Sequence, residues 1–196
     1  MSNSLHILLL AAGASTRMGE AVKQLLPWNH TTLLGHAIEQ ANKISQKLTV
    51  VLGANAKVIQ PTITADVEVI INPDWEMGMG TSISFGTHHV LRNKNESNGI
   101  LIMLADQPLL DADYLSELKN EFETGNYKIV GTNYGKRVGV PAIFDASLFS
   151  ELTGLHQDVG AKKIIERQKE YTKALNPKGR ELDIDTIEEY NQLTDL

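Results

Sequence analysis

The sequence predicts an α/β fold with a largely parallel central sheet, and three observations predict it. Strand-like runs alternate with helix-like ones along the chain. Two of those runs, Leu5–Ala12 and Gly99–Ala105, are apolar enough to be buried on both faces, as strands of a parallel sheet are. Helix caps and turn signals fall between the runs.

The elements follow in order. Leu5–Ala12 is the first strand. Thr31 or Thr32 caps a helix over Leu33–Ser45, with Leu34, Ile38 and Ala41 on one face. Leu48–Leu52 is a strand, Ala56–Pro61 a short helix, and Val67–Ile71 a strand closed by Asn72-Pro73. Thr81–Arg92 is a helix, and the polar Lys94–Asn98 connects it to the strand Gly99–Ala105. Asp111 caps a helix from Ala112 to about Glu123. Tyr127–Thr132 and Gly139–Phe144 are later strands, and Ser147–Leu152, Gly160–Arg167 and Thr186–Leu193 are helices. Right-handed crossovers join parallel strands, and ligands of such sheets sit at the carboxyl ends of the strands.

Composition narrows the function. A chain of 196 residues with 42% hydrophobic residues is expected to form one domain, 1–196, with a substantial core. A net charge of −6 argues against a nucleic-acid or anionic-membrane surface. The chain has no cysteine, which excludes disulfides, thiolate metal sites and cysteine nucleophiles. The N-terminal apolar run is too short for a signal peptide or membrane span, so a cytoplasmic location is expected.

The run Leu8–Lys23, LLLAAGASTRMGEAVK, carries the strongest chemical signal. A strand empties into the small residues Ala12, Gly13, Ala14 and Ser15, and Arg17 and Lys23 follow. A small-residue loop lets a phosphate approach backbone N–H groups, and the two cations suit a polyphosphate. The alternative is a plain turn with two solvated cations. The loop is not a Walker A loop, because Gly13 and Gly19 are one residue too far apart, and G-x-G-x-x-G is absent.

Other candidates lie downstream. Asp106 leaves an apolar strand and either holds a hard cation such as Mg²⁺ or caps the next turn before Pro108. Asp183 and Asp185 alternate in an extended stretch, so one can point inward, while Asp185 can also cap the helix near Thr186. Asn72 to Ile83 is a glycine-bearing loop into a helix, where Thr81 and Ser82 can bind a base or ribose or merely cap. Pro141, Asp158 and Lys162 can shape a second pocket, against a strand with an edge proline and a solvated helix start. The six histidines are scattered and suggest no metal site.

The motifs LLLAAGASTRMG, QLLPW, NPDWEMGMGTSI, LADQPLL, GVPAIF, DVGAK and DIDTIEEY occur in order over nearly the whole chain. Together they resemble the MobA-like nucleotidyltransferases. LAAG in place of LAGG, with LLPW and DQP, is most similar to the molybdenum cofactor cytidylyltransferase branch. The resemblance implies a Rossmann-like three-layer sandwich with a mostly parallel, mixed sheet. It implies transfer of CMP from CTP to the terminal phosphate of molybdopterin, with Mg²⁺ as cofactor and a molybdoenzyme or chaperone as protein partner. It places Leu10, Ala11, Ala12, Gly13, Asn72, Gly80, Thr81 and Ser82 around the nucleotide, with Arg17 and Lys23 at its phosphates. Asp106 and Asp185, or Asp183 in its place, would hold the metal; Pro141, Asp158 and Lys162 would meet the acceptor. Two departures stand out. Glu20-Ala21-Val22 puts three residues where the family has two before its lysine, and Lys162 replaces an arginine whose bidentate contact lysine cannot repeat. Competing readings are a guanylyl- or sugar-phosphate nucleotidyltransferase, a carrier that binds without catalysis, and an NAD(P)-dependent oxidoreductase.

Overall fold

The computed structural model describes residues 4–19, 21–93, 97–157 and 160–194. In chain order the elements are β1 (Leu5–Ala11), β2 (Pro27–Trp28), β3 (Thr31–Thr32), α1 (Leu33–Asn42), β4 (Leu48–Leu52), α2 (Ala56–Ile59), β5 (Glu68–Ile71) and α3 (Met79–Arg92). They continue as β6 (Gly99–Leu104), α4 (Ala112–Thr124), β7 (Ile129–Asn133), β8 (Val138–Asp145), α5 (Phe149–Thr153), α6 (Lys162–Arg167), β9 (Thr172–Leu175) and α7 (Ile187–Thr194).

Seven strands form one sheet in the order β5-β4-β1-β6-β8-β7-β9. Strands β5, β4, β1 and β6 run parallel, as do β7 and β9, whereas β8 is antiparallel to both β6 and β7. The reversal has a local cause. Tyr134 N donates to Arg137 O across a tight turn with Gly135 at φ 75°, and so short a connection can only reverse the chain.

Every residue of β1 is buried, and its side chains alternate between two cores. Ile7, Leu9 and Ala11 pack with Leu34 and Ile38 of α1 and Leu115 and Leu118 of α4. Leu8 and Leu10 pack with Ile83 and Val90 of α3, Leu152 of α5 and Ile164 of α6. Helices on both faces complete three layers, and each buried Leu or Ile contributes roughly 2 kcal/mol. A charge at Leu8 or Leu9, both 0% exposed, would have no counter-charge and would break the layer it enters. His6 is the polar member of the strand. Its Nε2 lies 2.9 Å from Thr49 Oγ1, and burial pulls the imidazole down to about 4, so it is neutral at neutral pH.

Several boundaries differ from expectation for local reasons. Helix α1 is capped by Thr32, whose Oγ1 accepts from Gly35 N, and it ends at Asn42 instead of Ser45. Ser45 Oγ donates to Leu5 O, which turns the chain toward β4. Helix α3 begins at Met79 instead of Thr81, because Gly78 at φ 106° admits the helical turn earlier. Asp111 caps α4 as expected, accepting from Tyr114 N. The hairpin β2–β3 and the edge strand β9 have no counterpart in the sequence reading; each is too short for its alternation to stand out. Among the described residues, no helix is long and apolar enough to cross a membrane.

Candidate active site

The carboxyl ends of β1 and β6 open onto a cavity of about 360 Å³. Leu10, Ala11, Ala12, Gly13, Arg17, Lys23, Ser82, Asp106 and Asp185 all line it. Asn72, Gly80, Thr81, Asp183, Pro141 and Lys162 do not, and Asp158 lies outside the described residues.

The loop after β1 is held from beneath. Gln24, 4% exposed, donates from Nε2 to Ala11 O at 3.3 Å and to Gly13 O at 3.1 Å. Ala12 O accepts from Ala54 N, and Met18 is buried against Leu33 and Ile184. Ser15 sits in the left-handed region at φ 55°, and a single 3₁₀ turn, Thr16–Met18, follows. Among the described residues the N–H groups of Gly13, Ala14 and Ser15 have no hydrogen-bond partner. The loop therefore presents three donors on a braced backbone, an arrangement that suits an anion.

Two carboxylates and two cations meet at the other wall. Lys23 Nζ lies 2.6 Å from Asp106 Oδ2 and 3.3 Å from Asp185 Oδ1. Arg17, largely exposed, reaches Asp185 Oδ2 at 3.1 Å. The longer stretch before Lys23 does not keep its ammonium from the site.

Asp185 comes from a strap, residues 181–185, that crosses the strand ends. Ile184 N donates to Asp106 O at 2.9 Å, and the Ile184 side chain is fully buried. Asp185 does not cap α7. Thr186 Oγ1 accepts from Glu189 N, and Glu189 Oε2 accepts from the N–H groups of Asp185 and Thr186, a reciprocal capping box. Those backbone donors hold the Glu189 carboxyl below its ordinary range. Asp185 is thereby released to face Arg17 and Lys23. Asp106 likewise does not cap the turn before Pro108: its Oδ2 meets Lys23, and its Oδ1 is buried without a hydrogen-bond partner among the described residues.

Asp183 points elsewhere. Its Oδ1 accepts from Gln107 Nε2 at 2.7 Å, and the same amide reaches Tyr134 Oη at 2.7 Å. Tyr134 in turn donates to Val140 O beside the cis Val140–Pro141 bond. Burial, and then the neighbouring Asp106 and Asp185, push the Asp183 carboxyl above the usual range. Gln107 thus ties the strap to the β7–β8 turn.

The segment after β5 is held by side-chain and backbone hydrogen bonds. Asn72, 1% exposed, donates from Nδ2 to Thr81 Oγ1 and Ser82 Oγ, both at 3.1 Å. Its Oδ1 accepts from Asp74 N. Gly80 N donates to Gln157 O, and Thr81 Oγ1 lies 2.9 Å from Asp74 O and 2.8 Å from Gly78 O. Ser82 reaches the cavity, oriented from behind by Asn72, and Trp75, Glu76, Gly78 and Met79 of the same segment line it as well. Pro141 lies in β8, where its carbonyl accepts from Thr132 Oγ1. Lys162 pairs on the surface with Glu166 at 3.8 Å, an exposed contact of little energetic weight.

Among the described residues no cluster of three or more His, Cys, Asp and Glu gathers to cage a metal. Asp106 and Asp185 nevertheless converge on one cation, the Lys23 ammonium, and Asp106 keeps a buried oxygen unpartnered. Two carboxylates with the remaining positions open fit a cation that keeps water and phosphate oxygens as ligands, as Mg²⁺ does.

Gln24 and Gln107 are the residues that sequence reasoning missed. Each falls inside one of the ordered motifs, Gln24 opening QLLPW and Gln107 within LADQPLL, and that membership is the signal that could have found them.

A cavity at parallel strand ends, with cations on one wall and open backbone donors on another, suits a phosphate-bearing ligand. Residues 7–172 match the MobA-like NTP transferase domain, and the chain belongs to that family. It is 29% identical over 195 residues to the nicotine blue oxidoreductase of Paenarthrobacter nicotinovorans, covering 94% of each chain. Rv0371c of Mycobacterium tuberculosis H37Rv superposes with a TM-score of 0.83 and 28% identity over 100% of both chains. A structure of the same protein in complex with manganese gives a TM-score of 0.80 over 98% of each chain, at 28% identity.

Proposed function

We propose that this chain is a molybdenum cofactor cytidylyltransferase, moving CMP from CTP to the terminal phosphate of molybdopterin with release of pyrophosphate. The observation that carries the transfer chemistry is the meeting of Asp106, Asp185, Lys23 and Arg17 beside the braced β1 loop. The ordered motifs support the choice of cytidine and molybdopterin, with LAAG at Leu10–Gly13. The manganese complex of Rv0371c supports a divalent cation, which we assign as Mg²⁺.

The N–H groups of Gly13, Ala14 and Ser15 bind the triphosphate, and Ser82 Oγ meets the nucleoside. An acceptor phosphate oxygen forms a bond to the α-phosphorus as the bond to the α,β-bridging oxygen breaks, and pyrophosphate leaves with that electron pair. The acceptor oxygen is already ionised, so the chain supplies no nucleophile. Arg17 and Lys23 neutralise charge building on the pyrophosphate. Asp106 and Asp185 would hold Mg²⁺, which when bound supplies further neutralisation at the reacting phosphates.

A second reading, an oxidoreductase, is favoured by the name of the Paenarthrobacter relative. One panel separates them: pyrophosphate release from CTP, GTP and ATP, with and without molybdopterin, beside NAD(P)H oxidation. Release from CTP only when molybdopterin is present is the expected result. Release from GTP alone overturns the cytidylyl assignment, and NAD(P)H turnover without pyrophosphate overturns the transfer reading.

A further inference from the structure

Lys23 does something in this structure that a phosphate-binding lysine need not do. Its ammonium joins the two carboxylates, 2.6 Å from Asp106 and 3.3 Å from Asp185, and its side chain is only 12% exposed. The backbone beneath it is fixed, since the next residue, Gln24, is bound to Ala11 O and Gly13 O. The four-carbon stem is the part free to turn. We propose that the Lys23 ammonium occupies the position a divalent cation takes between Asp106 and Asp185, and that the cation's arrival transfers Lys23 to the nucleotide's phosphates. The inference rests on the reading of Asp106 and Asp185 as metal ligands.

Charge makes the exchange obligatory. Two converging carboxylates need a cation between them, and one ammonium serves. A divalent ion on the same oxygens would stand next to that ammonium, and like charges at such a distance repel strongly in a partly buried site. Arg17 need not leave, because it is 70% exposed and holds the other oxygen of Asp185. The cavity beside the β1 loop, which Lys23 also lines, gives the displaced ammonium a place among incoming phosphates. Metal and triphosphate binding are thereby coupled through one side chain: the metal expels Lys23, and the triphosphate receives it.

The test uses Mn²⁺ alone, followed by electron paramagnetic resonance of the free ion, on the wild type, Lys23→Met and Asp106→Asn. Lys23→Met is expected to bind Mn²⁺ roughly tenfold more tightly than the wild type, since it removes the competing charge. Asp106→Asn is expected to lose the site. Equal or weaker Mn²⁺ binding by Lys23→Met overturns the inference. A second measurement needs no variant: acetylation of Lys23 by acetic anhydride, followed by peptide mass spectrometry with the exposed Lys162 as reference. Mn²⁺ is expected to raise Lys23 labelling severalfold, and CTP added with Mn²⁺ to restore protection; labelling unchanged or lowered by Mn²⁺ overturns the inference. Neither measurement uses the acceptor or turnover, so failure of the cytidylyl reading shows only in the pyrophosphate panel.

Discussion

The segments after β1 and after β5 look alike as sequence, yet they are held in different ways. Each leaves a strand, carries glycine and hydroxyl residues, and ends beside a helical turn. After β1 the N–H groups of Gly13, Ala14 and Ser15 stay open, and the bracing comes from Gln24 below. After β5 several donors are engaged: Gly80 N on Gln157 O, Asp74 N on Asn72, and the Asn72 amide on Thr81 and Ser82. A glycine at a strand end marks a close approach; which partner approaches depends on where the neighbouring hydrogen bonds go. The first segment turns open backbone donors outward, and the second aims Ser82 and adds Trp75, Glu76, Gly78 and Met79 to the cavity wall.

The largest effect should come from the carboxylate that faces Lys23 in the cavity beside the first segment. Asp106→Asn keeps the shape but removes the charge that faces Lys23 and would face a metal. Turnover is expected to fall roughly a hundred- to thousandfold, the range seen when one electrostatic contact to a transition state is removed. CTP affinity, measured by calorimetry, is expected to change only a few-fold. Near-normal turnover in this variant would remove Asp106 from the mechanism and blur the contrast between the two segments.

Gly53 is where the segments meet, and it gives the next largest effect. A Cβ there would collide with the Trp75 side chain and stand 2.7 Å from Ala12 O. One contact belongs to each segment, so neither can retreat without moving the other. Gly53→Ala is expected to cost about 1–3 kcal/mol in urea unfolding, the usual scale of overpacking. An unchanged midpoint would mean that the two segments are not in mechanical contact.

The strands were readable because burial on both faces leaves no polar alternation, as in β1 and β4. The cap at Asp111 was readable because it depends on residues three positions apart. The insertion of β8 between β6 and β7 was not, since it depends on which distant edge accepts a hairpin. The same limit applies within the site. Asp185 carried two local roles in sequence, and the capping box of Thr186 and Glu189 decided between them. The family resemblance places Asn72 and Gly80 at the nucleotide, yet their hydrogen-bond partners are Ser82 and Gln157, ten and seventy-seven residues away. Hydrogen-bond allocation is a tertiary property that residue type and spacing constrain without fixing.

Gly13 gives the smallest expected change in stability and the sharpest form of the comparison. A Cβ built there meets nothing within 4 Å, so the folded chain has room for it. Alanine also restricts the unfolded chain more than glycine does, which favours folding by up to about 1 kcal/mol where the native conformation is compatible. Gly13→Ala is therefore expected to leave the unfolding midpoint unchanged or slightly raised. The open space that tolerates the methyl group is, on our reading, where the triphosphate approaches the loop N–H groups. The same variant is expected to bind CTP roughly tenfold more weakly, because a methyl group blocks close contact and each 1.4 kcal/mol lost is a factor of ten. Gly53→Ala and Gly13→Ala thus add the same atom to two glycines of neighbouring strand ends and should divide cleanly, one by loss of stability and the other by loss of affinity. Unweakened CTP binding in Gly13→Ala would show that the triphosphate does not lie against this loop.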